Sequence, residues 1–265
     1  RWGGRWCAAC WGRSKKAFKP TMLLLQLGLV FLISAGLAAW LSGPSGRAVP
    51  ADGALALAGG FGAGALMMLP QGWLDPEPAA GFILAGAAAA GAGALHRQTR
   101  LGTAGWALAA LLAALMGLAG FWWLPAYGRV PALPLLGWAP PWTGFMLMTL
   151  IITGLAGLGR RLSPDGGGAL VAAMALALVL APIAYLQGAY CHSWMIAAFG
   201  ASIGGFYIYN RALTPGPGGG LWLGLTPGLL AGFSAETIGL DIWLPALGLY
   251  AMAIWMLARR AQKNA

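Results

Sequence analysis

Cys191, His192 and Met195 bring a thiol, an imidazole and a thioether together in the short stretch Cys-His-Ser-Trp-Met. These are soft donors of the kind that Cu(I) or a similar metal takes, and positions 191 and 195 share a helix face. The same stretch also reads as a helix start, with Ser193 capping and Trp194 anchoring at a membrane interface. A second thiol pair, Cys7 and Cys10, has the spacing Cys-Ala-Ala-Cys among Arg1, Arg5, Arg13 and the indoles of Trp2, Trp6 and Trp11. Two thiolates could supply half a tetrahedral zinc site or a redox dithiol. No second such pair completes the zinc site, so an interfacial anchor on anionic headgroups is the simpler expectation.

Helix breaks point more directly to function. Thr226-Pro227-Gly228 is expected to interrupt an apolar run, Pro182 lies within another, and Leu69-Pro70-Gln71-Gly72 ends a glycine-rich one. Proline has no backbone N–H and frees a carbonyl one turn earlier, which can coordinate an ion or substrate if it lines a cavity. Glu236 follows the Pro227 run, and a carboxylate at the mouth of a pathway can bind a proton or cation. The candidate substrate-binding or gating residues are therefore Pro227 and Gly228 as a break, Glu236 as a gate or coupling group, and Gln71 as its counterpart in an earlier hairpin.

Other chemistries lack their parts. The run Pro215 to Gly220 has no preceding strand and no Gly-Lys-Ser/Thr ending, so it is a connector and not a phosphate loop. His96 and His192 are expected on opposite sides of a bilayer, which argues against paired haem ligation. No serine sits with a histidine and an acid in a credible hydrolase arrangement, Ser202 being the nearest candidate. No cofactor is identified.

These residues must be positioned by helices in a membrane. Hydrophobic residues make up 59% of the 265, and charged residues only 8%, too little charge to clothe a water-soluble surface. The mean hydropathy of +0.73 agrees. Apolar runs occupy about 21–42, 53–73, 78–96, 102–124, 134–158, 167–188, 192–210, 219–235 and 241–258, apolar on every face rather than alternating as a β-barrel requires. The net charge of +10 does not indicate nucleic acid, because the basic residues lie between runs and not in an aromatic-interleaved stripe. Forty-three glycines suit close helix approach in lipid, with Gly200 and Gly204, and Gly224, Gly228 and Gly232, as small-residue faces.

From residue 97 on, basic clusters follow every second run: Arg97 and Arg100, Arg160 and Arg161, Arg211, then Arg259, Arg260 and Lys263. The positive-inside rule puts them in the cytoplasm. If one of the first three runs does not cross, the basic N-terminal segment joins them, leaving only Arg47 and Arg129 elsewhere. The Ala/Gly-rich run 78–96, after Asp75-Pro76-Glu77-Pro78, is the expected exception, re-entrant or buried against protein.

The expected fold is all-α: a polytopic transmembrane bundle of helical hairpins, with eight spans, nine as the alternative. Residues 1–20 would be a basic, Trp-rich cytoplasmic segment and 21–265 the bundle, in a bacterial-type inner membrane with both termini cytoplasmic. The expected function is transporter or channel-like movement of a small solute or ion. Its alternative is a non-catalytic subunit of a respiratory, photosynthetic or regulatory membrane complex. The expected partners are anionic lipid headgroups and either further copies of the chain or a larger membrane complex.

Overall fold

A computed structural model describes residues 20–42, 52–69, 76–99, 101–122, 149–156, 166–209 and 215–264. Among these residues all regular structure is helical: α1 (Pro20–Ser42), α2 (Asp52–Met68), α3 (Pro76–Thr99), α4 (Thr103–Trp122), α5 (149–156), α6 (Gly166–Leu186), α7 (Tyr190–Tyr209), α8 (Gly216–Ile238) and α9 (Leu240–Asn264). Each falls on one of the nine apolar runs. In hydrocarbon a chain must satisfy its own backbone, and apolar stretches of this length do so as helices.

Three helices among the described residues are long and apolar enough to cross a membrane: α1 through Leu24–Leu41, α3 through Ala79–His96, and α6 through Gly168–Leu186. Large apolar side chains face outward on α1 (Leu24, Leu25, Leu32), α6 (Leu178, Val179) and α9 (Leu249, Met252, Met256). Such a surface is matched to lipid and not to water. The chain is a helical membrane protein.

The run expected to be re-entrant or buried against protein forms one continuous helix, α3, of 24 residues, and half of its apolar stretch is buried inside the bundle. At 1.5 Å per residue it is about 36 Å long, enough to traverse a hydrocarbon core of about 30 Å. Its alanines and glycines serve packing rather than a break. Gly86 lies against Ala58 of α2, and Phe82 stacks edge-on against Phe61 with ring centroids 5.1 Å apart.

Contacts fix the direction of each helix. Gly59, Gly60 and Gly64 of α2 lie against Leu37, Ser34 and Val30 of α1, so these two helices are antiparallel. The pairs Phe61–Phe82 and Ala58–Gly86 make α2 and α3 antiparallel as well. Gly60 of α2 meets both Ser34 of α1 and Ser202 of α7, and Gly64 meets both Val30 and Ala198, so α7 runs parallel to α1. The start of α1 therefore lies at the end of the bundle that holds Tyr190, while α3, α7 and α9 all finish at the other end.

Two tight turns close hairpins. Gly188 and Gly239 have φ of 77° and 92°, left-handed values that cost glycine nothing. The first joins α6 to α7 and the second α8 to α9.

At the centre stands α8, which packs against α2, α3, α4, α6, α7 and α9, and against α5 through Gly224 and Gly228. Every residue from 218 to 232 is buried. Its glycines make that enclosure feasible: a Cβ on Gly218 would come 2.9 Å from the Ala89 carbonyl oxygen, and one on Gly224 would strike the Leu155 carbonyl. Beside it, Phe61, Phe82, Phe199 and Trp222 fill the space between α2, α3, α7 and α8 with edge-on or tilted rings.

Candidate functional site

Pro227 lies inside α8, and the helix continues through it to Ile238. The expected interruption at Thr226-Pro227-Gly228 is absent because other groups replace what proline removes. An ordinary residue at 227 would donate its N–H to the Leu223 carbonyl. That carbonyl instead accepts a hydrogen bond of 2.9 Å from the Tyr250 hydroxyl on α9. The freed carbonyl is therefore already engaged by a hydrogen bond.

The neighbouring hydroxyls are also satisfied within α8. Thr226 Oγ1 donates to the Trp222 carbonyl at 2.9 Å, and Ser234 Oγ donates to the Leu230 carbonyl at 2.6 Å. Both are i to i−4 bonds, which suit a hydroxyl with no water to bind. Gly228 packs on Ile152 of α5, so its lack of a side chain serves close approach. Pro182 is likewise accommodated inside a continuous α6.

Of the remaining gating candidates, Glu236 occupies the end of α8, about 14 Å along the axis from Pro227. Gln71, Cys7 and Cys10 lie outside the described residues. The structure thus unites Pro227 and Gly228 with α5 and α9, and sets Glu236 at the Tyr190 end of the bundle.

The first turn of α7 enters at that same end. The His192 ring lies 4.7 Å from the Phe233 ring, tilted by 42°. The imidazole also hydrogen-bonds to the Phe233 backbone, while its buried Nδ1 has no hydrogen-bond partner. Met195 is fully enclosed, and Cys191 is half-buried against the core. Glu236 lies less than one turn beyond Phe233 in α8. Two candidates chosen separately from sequence, His192 and Glu236, therefore belong to one end of one helix pair.

Two features of this turn differ from expectation. Ser193 does not cap α7; its hydroxyl donates to the Ala181 carbonyl of α6 at 2.7 Å and ties the hairpin together. Trp194 is not an interfacial anchor either. It is only 3% exposed, and its indole N–H is buried without a partner.

His96 is at the opposite end, where its Nδ1 accepts a hydrogen bond of 3.2 Å from Trp106 Nε1. The two histidines are thus apart, as the sequence suggested. Ser202 Oγ donates to the Phe199 carbonyl at 2.8 Å and lies in the packed crossing of α1, α2 and α7. Among the described residues no group of three or more His, Cys, Asp or Glu is placed to hold a metal.

Sequence reasoning missed a continuous line of rings. From His192 it passes to Phe233, then Phe82 at 5.8 Å, then Phe61, and on to Phe199 and Trp222. Phe82 and Phe61 belong to different helices from His192, so their meeting depends on tertiary contacts no local pattern reveals. Comparison with known proteins returned no match: no family model, curated sequence or solved structure is similar to this chain.

Proposed function

We propose that the chain is an inner-membrane transporter or channel-like protein for a small solute or ion, with α8 as its moving part. The observation that carries this reading is the state of α8 at Pro227. The helix is enclosed on all sides, is faced with glycine, and lacks one of its own main-chain bonds at mid-length. Its continuity there depends on a hydroxyl from α9. Exchange of that one bond lets α8 bend between packed neighbours, which supplies the two arrangements that alternating access needs.

In this proposal the bundle makes nine crossings. The end that carries Thr99, Tyr209 and Asn264 is cytoplasmic, since Arg97, Arg100, Arg211, Arg259, Arg260 and Lys263 cluster there in sequence. The eight-crossing form with both termini cytoplasmic would require α3 to stop short of crossing despite its antiparallel seat along α2. Nine crossings keep that seat and set the basic N-terminal segment against anionic headgroups of the other face.

The test is uptake by liposomes containing the full chain, challenged in turn with Na⁺, K⁺, Cu(I) and glycerol. Pro227→Ala and Glu236→Gln should each slow the active flux at least several-fold. Flux equal to empty liposomes for all four probes, or wild-type flux in both variants, would overturn the assignment.

One observation favours the second reading, a non-catalytic subunit of a larger membrane complex. The rings of Phe61, Phe82, Phe199 and Trp222 fill the centre of the bundle where a pathway would run. Stable co-migration with other subunits in mild detergent would support that role, and a substrate-dependent thermal shift of a homogeneous oligomer would support transport.

A further inference from the structure

We propose that the first turn of α7 is a binding site for a soft monovalent cation, Cu(I), with His192 Nδ1, Met195 Sδ and Cys191 Sγ as its ligands. The proposal concerns binding at this turn and holds whether or not the ion then moves across the membrane.

The strongest evidence is the state of the His192 ring. A backbone carbonyl can only accept, so the imidazole nitrogen bonded to the Phe233 backbone must carry the proton. Nδ1 has no hydrogen-bond partner, which makes it the other nitrogen, with its lone pair unused. A ring held through one N–H by a main-chain carbonyl, with the second nitrogen open, is how protein histidines are usually prepared for a metal. A buried lone pair left without a partner otherwise carries a desolvation cost with nothing to offset it.

The neighbouring donors fall on the same side of the helix. At about 100° per residue, positions 191, 195 and 192 span an arc of about 100°, with Met195 between the other two. Met195 is fully buried and Cys191 packs against the core, so this arc faces the bundle. One imidazole, one thioether and one thiolate form a soft, low-coordinate set that suits Cu(I) and offers no oxygen to a hard cation. The Phe233 ring, backed by Phe82, provides an apolar wall on the imidazole side. Binding releases the Cys191 thiol proton to solvent, and the resulting thiolate neutralises the charge of the ion.

The test uses the full chain with Cys7→Ser and Cys10→Ser, which removes the only other thiol pair, purified in detergent under anaerobic reducing conditions. Titration with Cu(I) against a chromophoric chelator should show one ion bound per chain. Cys191→Ser and Met195→Leu should each weaken binding at least tenfold, and His192→Phe should abolish it. Met195→Leu conserves volume, so its elution profile and helical content should match the parent and separate lost ligation from lost fold. X-ray absorption should show sulfur and nitrogen scatterers together. Failure to bind Cu(I), unchanged affinity in a folded Met195→Leu, a nitrogen- and oxygen-only shell, or equal affinity for Zn(II) and Na⁺ would each overturn the proposal.

Discussion

The Tyr250 hydroxyl donates to the Leu223 carbonyl at 2.9 Å, and Leu223 is the residue whose carbonyl Pro227 cannot reach with an N–H. Two residues on different helices thus complete one helical hydrogen bond between them. Tyr250→Phe should destabilise the protein by about 1–2 kcal/mol, because it leaves a buried carbonyl unmade. In a Pro227→Ala background, where the backbone supplies its own donor, the same substitution should cost clearly less. Reversible unfolding of the four proteins of this double-mutant cycle measures the difference; equal costs in both backgrounds would show that the two residues are not coupled.

Glycines in this bundle should differ sharply in what they tolerate. A Cβ on Gly205 would strike the Phe31 carbonyl, and one on Gly224 the Leu155 carbonyl, both backbone atoms that cannot step aside. Alanine at either position should cost about 1–3 kcal/mol. At Gly36 and Gly248 nothing lies within 4 Å of the added carbon. Alanine there should be neutral or stabilising by up to about 1 kcal/mol. Thermal unfolding of the four single variants in one detergent tests the ordering.

Ser34 holds α1 to the bundle. Its hydroxyl lies 2.7 Å from the Ser202 carbonyl oxygen and 3.1 Å from that of Ala56, where α1, α2 and α7 cross. Ser34→Ala should cost about 0.6 kcal/mol and no more than about 1.7 kcal/mol, the average and the maximum for interhelical hydrogen bonds in membranes. The loss should register as faster proteolysis between α1 and α2 before any change in the α6–α7 hairpin, which Ser193 secures independently. Simultaneous loosening of both regions would contradict this.

Alternation of α1, α2 and α3 makes a direct topological prediction. Single cysteines introduced at positions 47 and 97, in a cysteine-free chain, should react with an impermeant thiol reagent from one side of the membrane, and a cysteine at 75 from the other. Labelling of 75 and 97 from the same side would restore the re-entrant reading of 78–96.

Where helices lie was legible because a spanning helix is a local property: length and apolarity are enough, and all nine runs carry helical residues. Boundaries shifted by a few residues, as with α8, which begins at Gly216 and ends at Ile238 rather than spanning 219–235. How the helices seat on one another was not legible. Charge counting weighed loop residues, whereas the small residues Gly60, Gly64 and Gly205 decide how α1 seats on its neighbours. Pro227 stands out in the sequence as a helix break, yet α8 runs on through it, and its partner is not visible there. Pro227 and Tyr250 are nearly equidistant from the Gly239 turn, a symmetry that becomes meaningful only once 216–264 is known to fold back as a hairpin. The soft donors at 191, 192 and 195 were visible from spacing, while the open Nδ1 and the Phe233 wall required the tertiary fold.

The enclosure of α8 bears on how the protein is made. With its glycines, Pro227, Thr226 and Ser234, α8 is not among the helices apolar enough to qualify as a span on composition. Lipid is thus a poor first environment for it, and its stable environment consists of helices synthesised before it and of α9, synthesised after. Its integration should therefore depend on the rest of the chain: a version ending after α8 should be degraded or fail to insert, whereas α1 alone should insert readily. The innermost helix sets the order of biogenesis, because it can settle only when its neighbours are already in place and Tyr250 has emerged to complete it.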